Sequence, residues 1–167
     1  VFSSLMKINE EGVPELLVAK EVVSEDNQVW DITLNEGWTF HNGEPVTAQS
    51  YADAWNATAY GPNAWVQNSY FSIIEGYEEM NPLDGSTPEV DTLSGVEVIS
   101  DLELRVTLTE PNGLFPYTLA NPATSPLPEV AFEDLDAFST AAIGNGPYRL
   151  ADGYSYIPKE PVELQRY

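Results

Sequence analysis

The sequence predicts an α+β domain, a mostly antiparallel sheet of short strands packed with two or three helices. Three observations carry this. Stretches of period-two alternation recur, in QVWDITL, VEVIS and LELRVTL. Turn signals separate them at close intervals: Asn9–Gly12, Ser24–Asn27, Asn35–Gly37, Asn42–Gly43, Ser100–Asp101 and Glu110–Gly113. From Ala48 onward the apolar residues switch to helical spacing. The 167 residues suit a single domain spanning 1–167 and suffice for a real core.

Taken in order, VFSSLMKI reads as a short buried strand before the turn at Asn9–Gly12. Pro14 discourages a helix start before the apolar Leu16, Leu17, Ala19, Val22 and Val23. In QVWDITL, Trp30, Ile32 and Leu34 share one face and Val29, Asp31 and Thr33 the other, a half-buried strand. Trp38–Phe40 is extended, and Asn42-Gly43 is a tight-turn dipeptide because both residues tolerate positive φ. Pro45 keeps Glu44 extended, and Thr47 is a good N-cap. The helix that follows presents Ala48, Tyr51, Ala52, Trp55 and Ala59 on one face and stops at Gly61-Pro62.

A second helix is predicted from about Ala64 to Glu79, with a buried stripe of Val66, Tyr70, Ile73, Ile74 and Tyr77. Asn81–Thr92 is a polar loop. VEVIS and LELRVTL form a hairpin with Leu102, Leu104, Val106 and Leu108 inward. LFPYTLA reads as a short helical turn. NPATSPLP holds three prolines in eight residues and cannot be regular. A short helix carrying Val130, Ala131, Phe132, Leu135 and Phe138 comes next, then strands in GNGPYRL and VELQRY.

Hydrophobic content of 43% is globular rather than disordered, and no apolar run is long enough to span a membrane. VFSSLMKINEEG shows no basic start followed by an apolar run, and Val1 is not an initiator methionine, which suggests a processed or excised piece. With no cysteine, disulfides, thiolate nucleophiles and thiolate metal sites are excluded. Against 6 basic residues stand 27 acidic ones, a net charge of -21. Such a surface repels phosphate backbones and anionic membranes, so neither nucleic acid nor direct membrane insertion is expected. A solvated acidic surface is the simple reading and attraction of cationic ligands the functional one.

His41 has the chemistry of a general base, but no G-x-S-x-G surrounds any serine, and a turn residue beside Asn42-Gly43 is the better reading. The carboxylate pairs Glu10-Glu11, Glu25-Asp26, Glu78-Glu79 and Glu133-Asp134 sit in no apolar setting that would raise a pKa for acid catalysis. No calcium loop is present, Asp84-Gly85 and Asp152-Gly153 being turn pairs, and one histidine without thiolates makes a transition-metal site improbable. Gly144-Asn145-Gly146 lacks the lysine and helix of a phosphate loop. Asn56-Ala57-Thr58 matches a glycosylation acceptor but lies inside the predicted helix. No catalytic residue, metal or cofactor is therefore expected. Trp65 departs from the core phase and sits just after Gly61-Pro62-Asn63; it either caps the core or lines a ligand cleft.

The order of these pieces is informative. VAKEVVSEDNQVWDITLNEGWTFHNGEPVTAQSYADAW, Val18 to Trp55, resembles the signature region of the family 5 extracellular solute-binding proteins, the peptide-, dipeptide- and nickel-binding receptors of ABC importers. The likeness runs through Ala19, Trp30, Ile32, Leu34, Phe40, Asn42, Gly43 and Pro45–Ala48. It continues in the hairpin VEVISDLELRVTLTEP, in the Ser-Pro loop NPATSPLP and in GNGPYRL, where Asn145 replaces a usual threonine. Asn35 departs from a usual basic residue in a surface turn.

The resemblance implies part of a periplasmic-binding-protein type II fold: a smaller inserted domain of a longer two-lobed receptor, with Val1–Ile8 and Val162–Tyr167 as neighbours. It further implies an extracytoplasmic setting, periplasmic or lipoprotein-anchored. The implied partners are a peptide or related small solute, ABC permease subunits and the remaining lobes. The start of the second helix and the Ser-Pro loop approach the cleft in several members, which maps ligand contact onto Asn63, Trp65, Asn121, Thr124 and Ser125. The alternative reading is a stand-alone interaction or scaffold module without a transport ligand.

Overall fold

A computed structural model describes residues 1–152 and 154–167, so the turn pair Asp152-Gly153 falls partly outside the described residues. Strands β1 (Met6–Ile8) and β2 (Pro14–Leu16) form a hairpin around the Asn9–Gly12 turn. Strands β3 (Ala19–Val23), β4 (Val29–Leu34), β5 (Val96–Ser100) and β6 (Glu103–Thr107) make the central antiparallel sheet in the order β3-β4-β6-β5. A terminal ribbon pairs β7 (Tyr148–Leu150) with β8 (Leu164–Arg166). The helices are α1 (Ala48–Ala59), α2 (Tyr77–Met80), α3 (Phe115–Leu119) and α4 (Leu135–Thr140).

The period-two reading of the sheet holds in detail. Trp30 pairs with Val106 and Ile32 with Leu104, and all four are buried. On the opposite face Asp31 pairs with Arg105, and their side chains form an exposed ion pair at 2.7 Å. Alternation therefore separates a dry face from a wet one. The first strand is shorter than predicted: Leu5 and Met6 are buried, but Ile8 is exposed beyond them.

Helix α1 covers the dry face and packs beside β5. Its start is a reciprocal cap. Ser50 N–H donates to Thr47 Oγ1 at 3.3 Å, and Thr47 N–H donates to Ser50 Oγ at 3.2 Å. The Asn42-Gly43 turn closes as predicted, with Phe40 N–H donating to Glu44 O and a bridge from Thr39 to Pro45.

Tyr51 lies in the core with its hydroxyl unpaired among the described residues, and burial pushes the phenol well above its usual pKa. An unpaired buried hydroxyl gives no stability. Tyr51→Phe is expected to leave stability unchanged or raise it by about 1 kcal/mol in urea unfolding. A loss of that size would instead assign the hydroxyl a bound partner.

The predicted second helix is not formed. Gly61–Asn63 and Asn68–Phe71 are 3-10 turns, and only Tyr77–Met80 is α-helical. Of the expected stripe, Ile74 is buried, whereas Val66 is 90% and Tyr70 46% exposed. Two backbone features break the run: Ala64 is left-handed (φ 53°), and Gly76 has φ 90° with Ser94 against it. The predicted helix around Val130–Phe138 is likewise divided, into a 3-10 turn (Glu129–Phe132) and α4. Asp134 caps α4 by accepting from Ala137 N–H.

Candidate functional site

Helix α1 ends with free carbonyls that need donors. The segment after it supplies asparagine amides. Asn63 Nδ2 donates to Ala57 O at 2.7 Å, Asn68 Nδ2 to Ala59 O at 2.7 Å, and Asn81 Nδ2 to Ala59 O at 2.8 Å. Tyr77 hydroxyl in turn donates to Asn68 Oδ1. These side-chain bonds to backbone compete with helix continuation and explain why residues 61–76 turn back over the end of α1. The turn displays Trp65, half-buried and outside the residues packed on the core, beside the exposed Val66 and Tyr70. Asn63 shapes the turn and Trp65 is its presented ring.

The other predicted residues lie on a loop packed beside α1. Trp55 Nε1 donates to Thr124 O at 3.0 Å, and Leu127 N–H donates to Ser50 O. Asn121 Oδ1 accepts from Ala123 N–H and caps the 3-10 turn Pro122–Thr124. Thr124 is buried and its hydroxyl donates to Asn121 O at 2.8 Å. Ser125, also buried, has its hydroxyl 3.2 Å from that of Ser4, which donates to Asn121 O. The structure thus gathers Asn121, Thr124 and Ser125 with Ser4, and sets Asn63 and Trp65 apart from them on the turn that follows α1. The hydroxyls of Thr124 and Ser125 are thus already engaged within the protein.

A third junction was not legible as a site. The buried Asn145 accepts from Ser3 N–H at 2.8 Å and donates to Ser3 O at 3.0 Å. Gly146 N–H donates to Val1 O, and Tyr167 N–H to Pro147 O. Val1 and Tyr167 are therefore held by successive residues of one loop, Gly146 and Pro147. The substitution of asparagine for threonine in GNGPYRL was the available sequence signal. His41 joins the same loop: its ring contacts Gly144 and Gly146, and burial lowers its pKa below the usual 6.5. Among the described residues no helix is long and apolar enough to cross a membrane, and no group of three acidic or histidine side chains is arranged to hold a metal.

Against this geometry, comparison with known proteins gives a consistent result. The family described as "Bacterial extracellular solute-binding proteins, family 5 Middle" matches residues 12–167. The periplasmic oligopeptide-binding protein OppA of Escherichia coli is 32% identical over 171 residues, covering 99% of this chain and 30% of the relative. Oligopeptide-binding protein OppA of Bacillus subtilis is 32% identical over 155 residues, covering 89% and 28%. Haemophilus influenzae OppA in complex with the peptide RPPGFSPFR superposes with a TM-score of 0.85 at 27% identity, over 99% of this chain and 32% of that one. The chain spans about 30% of the length of the curated relatives it matches.

Proposed function

The chain belongs to family 5 of the bacterial extracellular solute-binding proteins, and from that premise we propose that it is one domain of an extracytoplasmic receptor that captures peptides for an ABC importer. The observation that carries the proposal is the collinear match across residues 12–167, joined to the superposition on a peptide complex. In this reading residues 1–167 act as one unit within a longer two-lobed receptor. The share of the relatives that the chain covers, about 30% of their length, supports it. The receptor works in a periplasm or as a lipid-anchored protein at the cell surface and hands its ligand to permease subunits. It binds without catalysis.

Within this domain, Trp65 is the residue we assign to the ligand-facing surface, with Asn63 holding its turn. A half-buried ring on a braced turn offers flat apolar area at little entropic cost. Asn121, Thr124 and Ser125 form the second wall, and the buried hydroxyls act by shaping the loop. Trp65→Ala in a receptor of the relatives' full length is expected to weaken peptide binding about tenfold by calorimetry, the scale of a lost aromatic contact. Unchanged affinity removes Trp65 from the site. Failure of that receptor to bind any peptide in a mixed library overturns the transport reading itself.

A further inference from the structure

His41 is the chain's only histidine, and the receptor reading gives it no task. Both ring nitrogens face one loop. Nδ1 accepts from Gly144 N–H at 3.2 Å, and Nε2 lies 2.8 Å from Gly146 O. A nitrogen that accepts carries no proton, and a carbonyl can only accept. The two contacts together therefore select the neutral tautomer protonated at Nε2. His41 N–H adds a bond to Gly144 O at 2.8 Å, and the Tyr167 ring packs on the imidazole with centroids 4.7 Å apart. The gripped loop is the one that holds Val1, Ser3 and Tyr167.

We propose that His41 is a pH-operated latch: its neutral ring locks residues 1–5 and 147–167 onto the turn that launches α1, and its protonated ring releases them. A proton on Nδ1 would point at the Gly144 N–H, so one bond is lost and two donors confront each other. The surroundings do not offset this. Arg149 opposes a cationic ring. Asp152 and Tyr154 line the same depression as His41, but Asp152 is paired with Arg149 at 2.8 Å. On its own turn, Glu44 directs its carboxylate to Glu129 N–H and Asn42. Tyr167 presents its ring and sends its hydroxyl to Phe40 O.

Burial disfavours the charged ring in the same sense, while the Gly146 carbonyl works against it. The folded chain thus binds this proton less readily than the unfolded chain does. The latch contributes fully above the usual value of 6.5 and is lost as pH falls below it through the lower folded value. On the receptor reading, the released segments are those that lead to the remaining lobes.

Ring-nitrogen NMR of this chain tests the latch, because one histidine gives one set of signals. At about pH 8 the ring is expected as the Nε2–H tautomer. On titration to about pH 5, protection of the Gly144, Gly146 and Tyr167 amides, corrected for intrinsic exchange at each pH, is expected to fall about tenfold together, while the β4–β6 ladder stays protected. His41→Phe keeps a ring against Tyr167 and is expected to show the low protection at both pH values. An Nδ1–H tautomer, titration of the ring without change at the three amides, or a protected His41→Phe variant overturns the proposal. No ligand is involved, so this outcome is independent of the transport reading.

Discussion

Trp55→Ala is expected to destabilise the chain by about 4 kcal/mol, within the range for emptying a buried tryptophan site. Trp55 is fully buried, meets Tyr51 edge-on at 6.2 Å and lies 5.8 Å from Phe71. Its indole N–H is the donor to Thr124 O. Truncation therefore removes dispersion contacts with Tyr51 and Phe71 and leaves a buried carbonyl without that donor. Because domains of this size are stable by only about 5–15 kcal/mol, much of the population is expected to unfold at modest urea. Trp55→Phe separates the two contributions: it keeps most of the ring and loses the N–H, and about 1–2 kcal/mol is expected. The check is urea unfolding of both variants. A loss below about 2 kcal/mol for the alanine variant would mean that the site collapses around the gap.

Gly144→Ala is expected to cost about 3 kcal/mol by overpacking. A Cβ at this position would sit 2.2 Å from Val1 O and 2.7 Å from Val1 C, and neither is the end of a flexible side chain. The backbone of the first residue must move, and with it the Gly146–Val1 bond and the Asn145–Ser3 pair. The damage is expected to be local. Hydrogen exchange should rise in residues 1–5 and at Tyr167, while the central sheet keeps its protection. Equal loss of protection across the sheet would show that the junction unfolds only with the whole domain.

The legible part of the fold is the part coded by neighbours. Alternation in QVWDITL and LELRVTL was sufficient to assign the buried face, because one residue of slip would expose Trp30, Ile32, Leu104 and Val106 together. Thr47 was readable as a cap because capping is settled within three residues. The missing second helix was not readable. Its apolar spacing favoured a helix, but Asn63, Asn68 and Asn81 bond carbonyls six to 22 residues back along the chain, and that competition has no local signature.

The candidate site divides the same way. Trp65 stood out because it fell off the core phase, and it does lie outside the core. That Ser125 is buried against Ser4, more than a hundred residues away, and Thr124 against Trp55 could be learned only from the folded chain. By itself, the sequence determined the α+β class, the dry face of the sheet, the face of α1 and the family, since each rests on short-range periodicity or on motif order. The tertiary structure alone decided which donors close the end of α1, and that His41, Asn145 and both termini meet in one junction. The bonds of His41 to Gly146 and of Asn145 to Ser3 join residues more than a hundred positions apart, and they form only after packing has met the entropic cost of closing such loops.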